Sequence, residues 1–130
     1  MRLISSRVHG VLDYVAGVLL ILTPKLLGFE NTVTASQVPM TLGALIIIYS
    51  LLTRYELALL MILPFRAHLA LDVVSGLLLA GSPWLFGFAD KIWVPHVVLG
   101  LLEMGVVTMT RSDVALDHPE APGMQHGRPV

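Results

Sequence analysis

Apolar residues run along this chain in four blocks, each opened or closed by a proline or by a short polar stretch. The first block runs from about Arg7 to Gly28, long enough to cross ~30 Å of hydrocarbon at ~1.5 Å per residue. Pro24 lies near its exit and is expected to kink or end the helix, with Thr23 satisfying the carbonyl that Pro24 leaves without a donor. A polar loop, 30–37, follows. The second block is expected to open at Pro39, a favoured first-turn residue, and to continue to about Thr53-Arg54. The stretch Tyr55–Phe65 either extends this helix or lies as a short helix in the membrane interface, and the interfacial reading is favoured. The third block is His68–Phe86. The fourth opens at Trp93-Val94-Pro95 and ends near Thr110-Arg111. The remainder is polar and rich in proline and glycine, a composition that does not bury a core of its own.

The blocks are related to one another. Between His9–Phe29 and His68–Phe88, 11 of 21 positions are identical at a shift of 59. A repeat of this length decides architecture. The expectation is an all-α membrane protein, four transmembrane helices arranged as two duplicated hairpins. Residues 1–65 hold the first hairpin and a connecting segment, 66–111 the second, and 112–130 a polar tail. Arg2, Arg7, Arg54, Arg66, Arg111 and Arg128 fall on one side of such a membrane, and only Lys25 and Lys91 on the other. The basic residues therefore predict both termini and the middle connection on the cytoplasmic side. Hairpins of equal topology are then related by an axis along the membrane normal.

Composition agrees with a bilayer as solvent. Hydrophobic residues make up 55%, charged residues 13%, and mean hydropathy is +0.80, whereas a soluble domain carries about 25% charged residues. The net charge of −1 supplies no basic field for nucleic acid. With no cysteine, disulfides and thiolate chemistry are excluded. The first block is expected to be retained, because Asp13 lies inside it and Thr23-Pro24-Lys25 is no signal-peptidase site.

In the second repeat, Ser82-Pro83-Trp84 precedes Leu-Phe-Gly-Phe inside a two-helix unit that occurs twice. This resembles the SPW-repeat family of small bacterial membrane proteins, over about residues 7–111. The first repeat departs from the motif, reading Thr23-Pro24-Lys25. The resemblance implies the fold and a bacterial cytoplasmic membrane. It implies no activity and no site residue.

The chemistry-bearing residues are few. His9 and Asp13 are four apart, as are His68 and Asp72, so each pair shares a helix face that Gly17 or Gly76 continues. The functional reading is symmetric ligation of haem, another tetrapyrrole or a metal through His9 and His68. The favoured reading is structural: each aspartate orients its histidine and pairs with an arginine, Asp13 with Arg54 and Asp72 with Arg111, because helix rise puts them at similar depth. No cofactor and no metal site is expected. Glu103 falls near the bilayer midplane, where the first repeat has Ile46. With His96 it is a candidate proton or ion relay, or a contact for a partner subunit. Trp84, Trp93 and Tyr55 read as interfacial aromatics. No phosphate-binding loop, zinc-helix motif or serine-nucleophile elbow is present. An enzyme is not expected. The leading expectation is an accessory or scaffolding subunit that contacts lipid and other membrane proteins. A small transporter, a pigment-binding protein and a homo-oligomer are the alternatives.

Overall fold

A computed structural model describes residues 3–112; the expected polar tail lies outside the described residues apart from Ser112. Four helices form α1 (Ser6–Leu26), α2 (Val33–Leu52), α3 (Phe65–Leu85) and α4 (Val94–Met109), with no strand among the described residues. The first three are long and apolar enough to cross a membrane, and α4, at 16 residues, is shorter. Large apolar side chains such as Val11, Val18, Ile48, Val74 and Leu101 are exposed on the outer faces. Exposed apolar surface of this extent suits a lipid surround.

Helix α1 packs mainly on α2, and α3 on α4. Glycine sets each crossing. Gly17 faces Gly43, and a Cβ at Gly43 would lie 2.5 Å from the Gly17 carbonyl oxygen. Gly76 faces Gly100 in the same way in the second hairpin. Small residues permit such backbone approach in lipid. Gly43 and Gly100, like Thr53 and Thr110, are 57 apart, so α2 and α4 correspond as α1 and α3 do.

Both outer turns are built alike. Gly28 and Gly87 have φ of 71° and 70°, and the amides of Phe29 and Phe88 return to the carbonyls of Pro24 and Pro83 at 2.8 Å. This is the left-handed helix stop that glycine adopts without strain. Phe29 and Phe88 then pack together with Ala35.

The second helix and the middle connection differ from expectation. Helix α2 starts at Val33, not Pro39, so Pro39 lies inside it. It ends at Leu52, and no helix occurs in 53–64. The Arg54 amide bonds Leu63 O at 2.8 Å and the Leu63 amide bonds Leu52 O at 2.8 Å, so the connection doubles back as a short parallel pair. Leu59, Leu60, Met61 and Ile62 are exposed along it, without forming a helix. The same pairing recurs at the other end, where the Arg111 amide bonds Ile4 O at 2.9 Å and the Ile4 amide bonds Met109 O at 3.0 Å. The segment before α1 closes on α4 as the segment before α3 closes on α2. Tyr55, expected at the interface, is instead fully buried against Phe65. Its ring occupies the space a side chain at Gly10 would need.

Candidate functional site

Each histidine stands one turn into its helix, and each aspartate one turn further on the same face. Because α1 and α3 are repeat mates, both faces point to the junction of the hairpins. There the four side chains meet, and all four are buried. His9 Nε2 lies 2.9 Å from Asp72 Oδ2, and His68 Nε2 lies 2.9 Å from Asp13 Oδ2. The contacts within each helix are longer, at 3.4 Å for His9 with Asp13 and 3.2 Å for His68 with Asp72. The shorter bonds therefore cross between repeats.

The other ring nitrogens define the tautomers. Thr53 Oγ1 donates to Tyr49 O at 2.6 Å, and Thr110 Oγ1 donates to Val106 O at 2.7 Å. Each hydroxyl has one hydrogen, so its contact with a histidine must be as acceptor. His68 Nδ1–H donates to Thr53 Oγ1 at 2.8 Å, and His9 Nδ1–H donates to Thr110 Oγ1 at 2.9 Å. Both Nε2 atoms are thereby turned inward, toward the carboxylates. Tyr49 donates its hydroxyl to Asp72 Oδ1 at 2.5 Å, and Ser50 donates to Asp13 Oδ2 at 3.5 Å. Phe65 stacks on His68 with centroids 5.7 Å apart and meets His9 edge-on at 5.7 Å. Together with Tyr55 it closes one end of the cluster.

These partners replace the expected ion pairs. Asp13 is held by His68 and Asp72 by His9, not by Arg54 and Arg111. Counting helix rise placed the arginines at the right depth only if their helices continued. Instead α2 and α4 stop at Leu52 and Met109, and the extended turn carries both arginines to the surface. Arg54 Nε donates to Met61 O at 3.0 Å. Nor do the imidazoles stand apart as haem ligands would. Each Nε2 faces a carboxylate oxygen at 2.9 Å.

The duplication is imperfect beside the cluster. Ser75 and Glu103 replace Ala16 and Ile46 of the first repeat, and the two are bonded, Ser75 donating to Glu103 Oε1. Val106 stands where the first repeat has Tyr49, so Asp13 lacks the tyrosine that Asp72 has. A cavity of about 40 Å³ lies there, lined by His9, Asp13, Asp72, Glu103, Val106 and neighbours. Glu103 Oε2 is buried with no hydrogen-bond partner.

His96 is not part of this site. It lies at the opposite end of α4, between Phe29 and Phe88, and its Nε2–H donates to Ala35 O at 2.9 Å. That carbonyl is the one Pro39 leaves without a helical donor. The SPW motif solves the same problem locally: Ser82 Oγ donates to Leu79 O at 2.7 Å, the carbonyl freed by Pro83. Thr23 behaves differently from expectation, donating to Leu19 O at 2.7 Å and not to the Leu20 carbonyl that Pro24 frees. Trp84 is exposed and packs near Trp93, centroids 6.1 Å apart.

Sequence reasoning missed Tyr49, Thr53, Ser75 and Thr110. Thr53-Arg54 and Thr110-Arg111 are a repeated pair in the sequence, and that repeat marks both threonines. Searches of the curated proteins and of solved structures return no match. The family model for the SPW repeat domain matches residues 7–110. A match over that span, with the motif serving the proline of a duplicated hairpin, places this chain in the SPW-repeat family.

Proposed function

We propose that this protein is a non-enzymatic accessory or scaffolding subunit that packs against other membrane helices in the bacterial cytoplasmic membrane. One observation carries this reading. Two grooves of similar size, about 330 and 310 Å³, lie at equivalent places between α2 and α3 and between α4 and α1. The first has Thr34, Gln37 and Thr41 exposed along one face of α2, above Leu42, Leu78 and Phe86. The second has Val94 and Val98 where the first has Gln37 and Thr41. Gln37 and Thr41 lie ~6 and ~12 Å into the helix. Acyl chains cannot satisfy an amide there, whereas a neighbouring helix with polar side chains can, at a gain of ~1 kcal/mol per bond. The second groove has Thr23 as its one polar lining residue, so the greater polarity of the first suits a partner seated on one side.

The test is purification in mild detergent with a photo-crosslinker at Gln37 or, as control, at Val94. The expected result is one defined polypeptide that co-elutes and crosslinks from Gln37 only, and is lost in Gln37→Leu with Thr41→Val. Equal crosslinking from both grooves, or none from either, overturns the reading. A crosslink to a second copy of this chain makes it a homo-oligomer.

A second reading, a small proton- or ion-coupled transporter, is favoured by the unpartnered Glu103 Oε2 beside the cavity. Reconstituted protein should then move protons or ions, and Glu103→Gln should stop that flux. A wild-type protein that moves nothing removes it.

A further inference from the structure

The geometry points to a buried binding site for one first-row divalent metal ion of the zinc type, held by His9, Asp13, His68 and Asp72. Each of the four residues offers one ligand atom, and these atoms all lie within 4.8 Å of one another. Asp72 Oδ2 lies 2.9 Å from His9 Nε2 and 3.2 Å from His68 Nε2, and Asp13 turns Oδ2 to His68 Nε2 at 2.9 Å and Oδ1 to His9 Nε2 at 3.4 Å. Ligands at ~2.0–2.1 Å around a tetrahedral ion sit roughly 3.3–3.4 Å apart. Three of these nitrogen–oxygen contacts are shorter than that, so they would lengthen by about 0.1–0.5 Å around an ion.

Three further observations point to an ion. Both Nδ1–H groups are fixed by Thr53 and Thr110, which leaves both Nε2 lone pairs directed inward. Holding the outer ring nitrogen in this way is how proteins orient a metal-ligating histidine. The carboxylates are steadied in turn by Tyr49 and Ser50. Finally, the cavity between α1 and α4 reaches His9, Asp13 and Asp72 and gives a small ligand or water a place beside the cage. Two imidazoles and two carboxylates select a zinc-like ion over calcium or magnesium, which take six or more oxygens.

Charge balances with and without the ion. Since Thr53 and Thr110 claim the Nδ1 hydrogens, the two short Nε2–carboxylate contacts each need one more hydrogen. Two neutral imidazoles, two carboxylates and those two protons sum to zero. A divalent ion that displaces both protons into solvent also sums to zero, so no net charge is buried in either state. The other ionisable groups facing the cluster are Tyr49 from α2, Tyr55 from the connection and Glu103 from α4.

The experiment uses the full chain, carrying no polyhistidine tag, stripped with chelator in detergent and titrated with Co²⁺ and then Zn²⁺. The expected result is one ion per chain, Co²⁺ absorption bands of tetrahedral nitrogen–oxygen intensity, their displacement by Zn²⁺, and about two protons released per ion. Thr53→Val should weaken binding by about 10–100-fold through loss of the outer hydrogen bond. The double variant His9→Gln with Asp72→Asn should not bind. Should that variant fail to fold, His118→Gln with His126→Gln answers the same question, because removing those histidines should leave binding intact. Absence of a tetrahedral Co²⁺ spectrum in the wild type overturns the proposal. So does an ion retained by the double variant, or one lost with His118 and His126.

Discussion

A proline inside a membrane helix leaves one carbonyl without its donor, and lipid offers no replacement. Pro83 is answered by Ser82 within its own helix, and Pro39 by His96 from another. Ser82→Ala should therefore cost about 1–3 kcal/mol of stability, the usual penalty for an unsatisfied buried polar group. Equilibrium unfolding in mixed micelles measures it, and a neutral result would show that the carbonyl finds another donor. The aspartates make a second residue-scale contrast. Asp13 is buried against His68, whereas Arg54 is exposed at the connection. Asp13→Ala strands a histidine in the interior and should cost about 3–5 kcal/mol. Arg54→Ala should stay within about 1 kcal/mol. Equal losses in the same assay would restore the Asp13–Arg54 pair and remove the cross-repeat one.

Helices here are held at glycine. A Cβ at Gly100 would meet Ala80 N at 2.7 Å and the Gly76 carbonyl oxygen, and neither backbone atom can move aside cheaply. Gly105, on the same helix, has nothing within 4 Å of that position. Gly100→Ala should force α3 and α4 apart and destabilise the protein by about 1–3 kcal/mol. Gly105→Ala should be neutral or slightly stabilising, since alanine favours helix by ~1 kcal/mol over glycine. Thermal denaturation of the two variants side by side decides it. Similar behaviour would mean that the crossing has slack.

At the scale of the molecule, two hairpins of one topology meet through a cluster to which each contributes one histidine and one aspartate. With each helix crossing a membrane, equal hairpins would put the segment before α1 and the connection 53–64 on one side. The distribution of basic residues predicts that side to be the cytoplasmic one. A cysteine at Thr34 or Ala89 should label from outside intact cells and one at Ser5 only after permeabilisation. The chain has no native cysteine to confuse the assay. The opposite pattern would invert the topology.

The apolar blocks and the 59-residue repeat determined four helices and their pairing into hairpins, because these are local properties repeated along the chain; the start of α2 was not legible, since Pro39 lies inside that helix. His9, Asp13, His68 and Asp72 were identifiable from the same repeat as residues set on one face. Which aspartate serves which histidine was not. That depended on where α2 and α4 stop, and there the chain pairs Arg54 with Leu63 across the connection and Arg111 with the distant Ile4. Helix propensity carries no information about such pairings. Tyr55 likewise read as interfacial until the returning connection folded it beneath Gly10. The exchange of partners between hairpins, the tautomers fixed by Thr53 and Thr110, and the cavity left where Val106 replaces a tyrosine exist only once the two copies face each other.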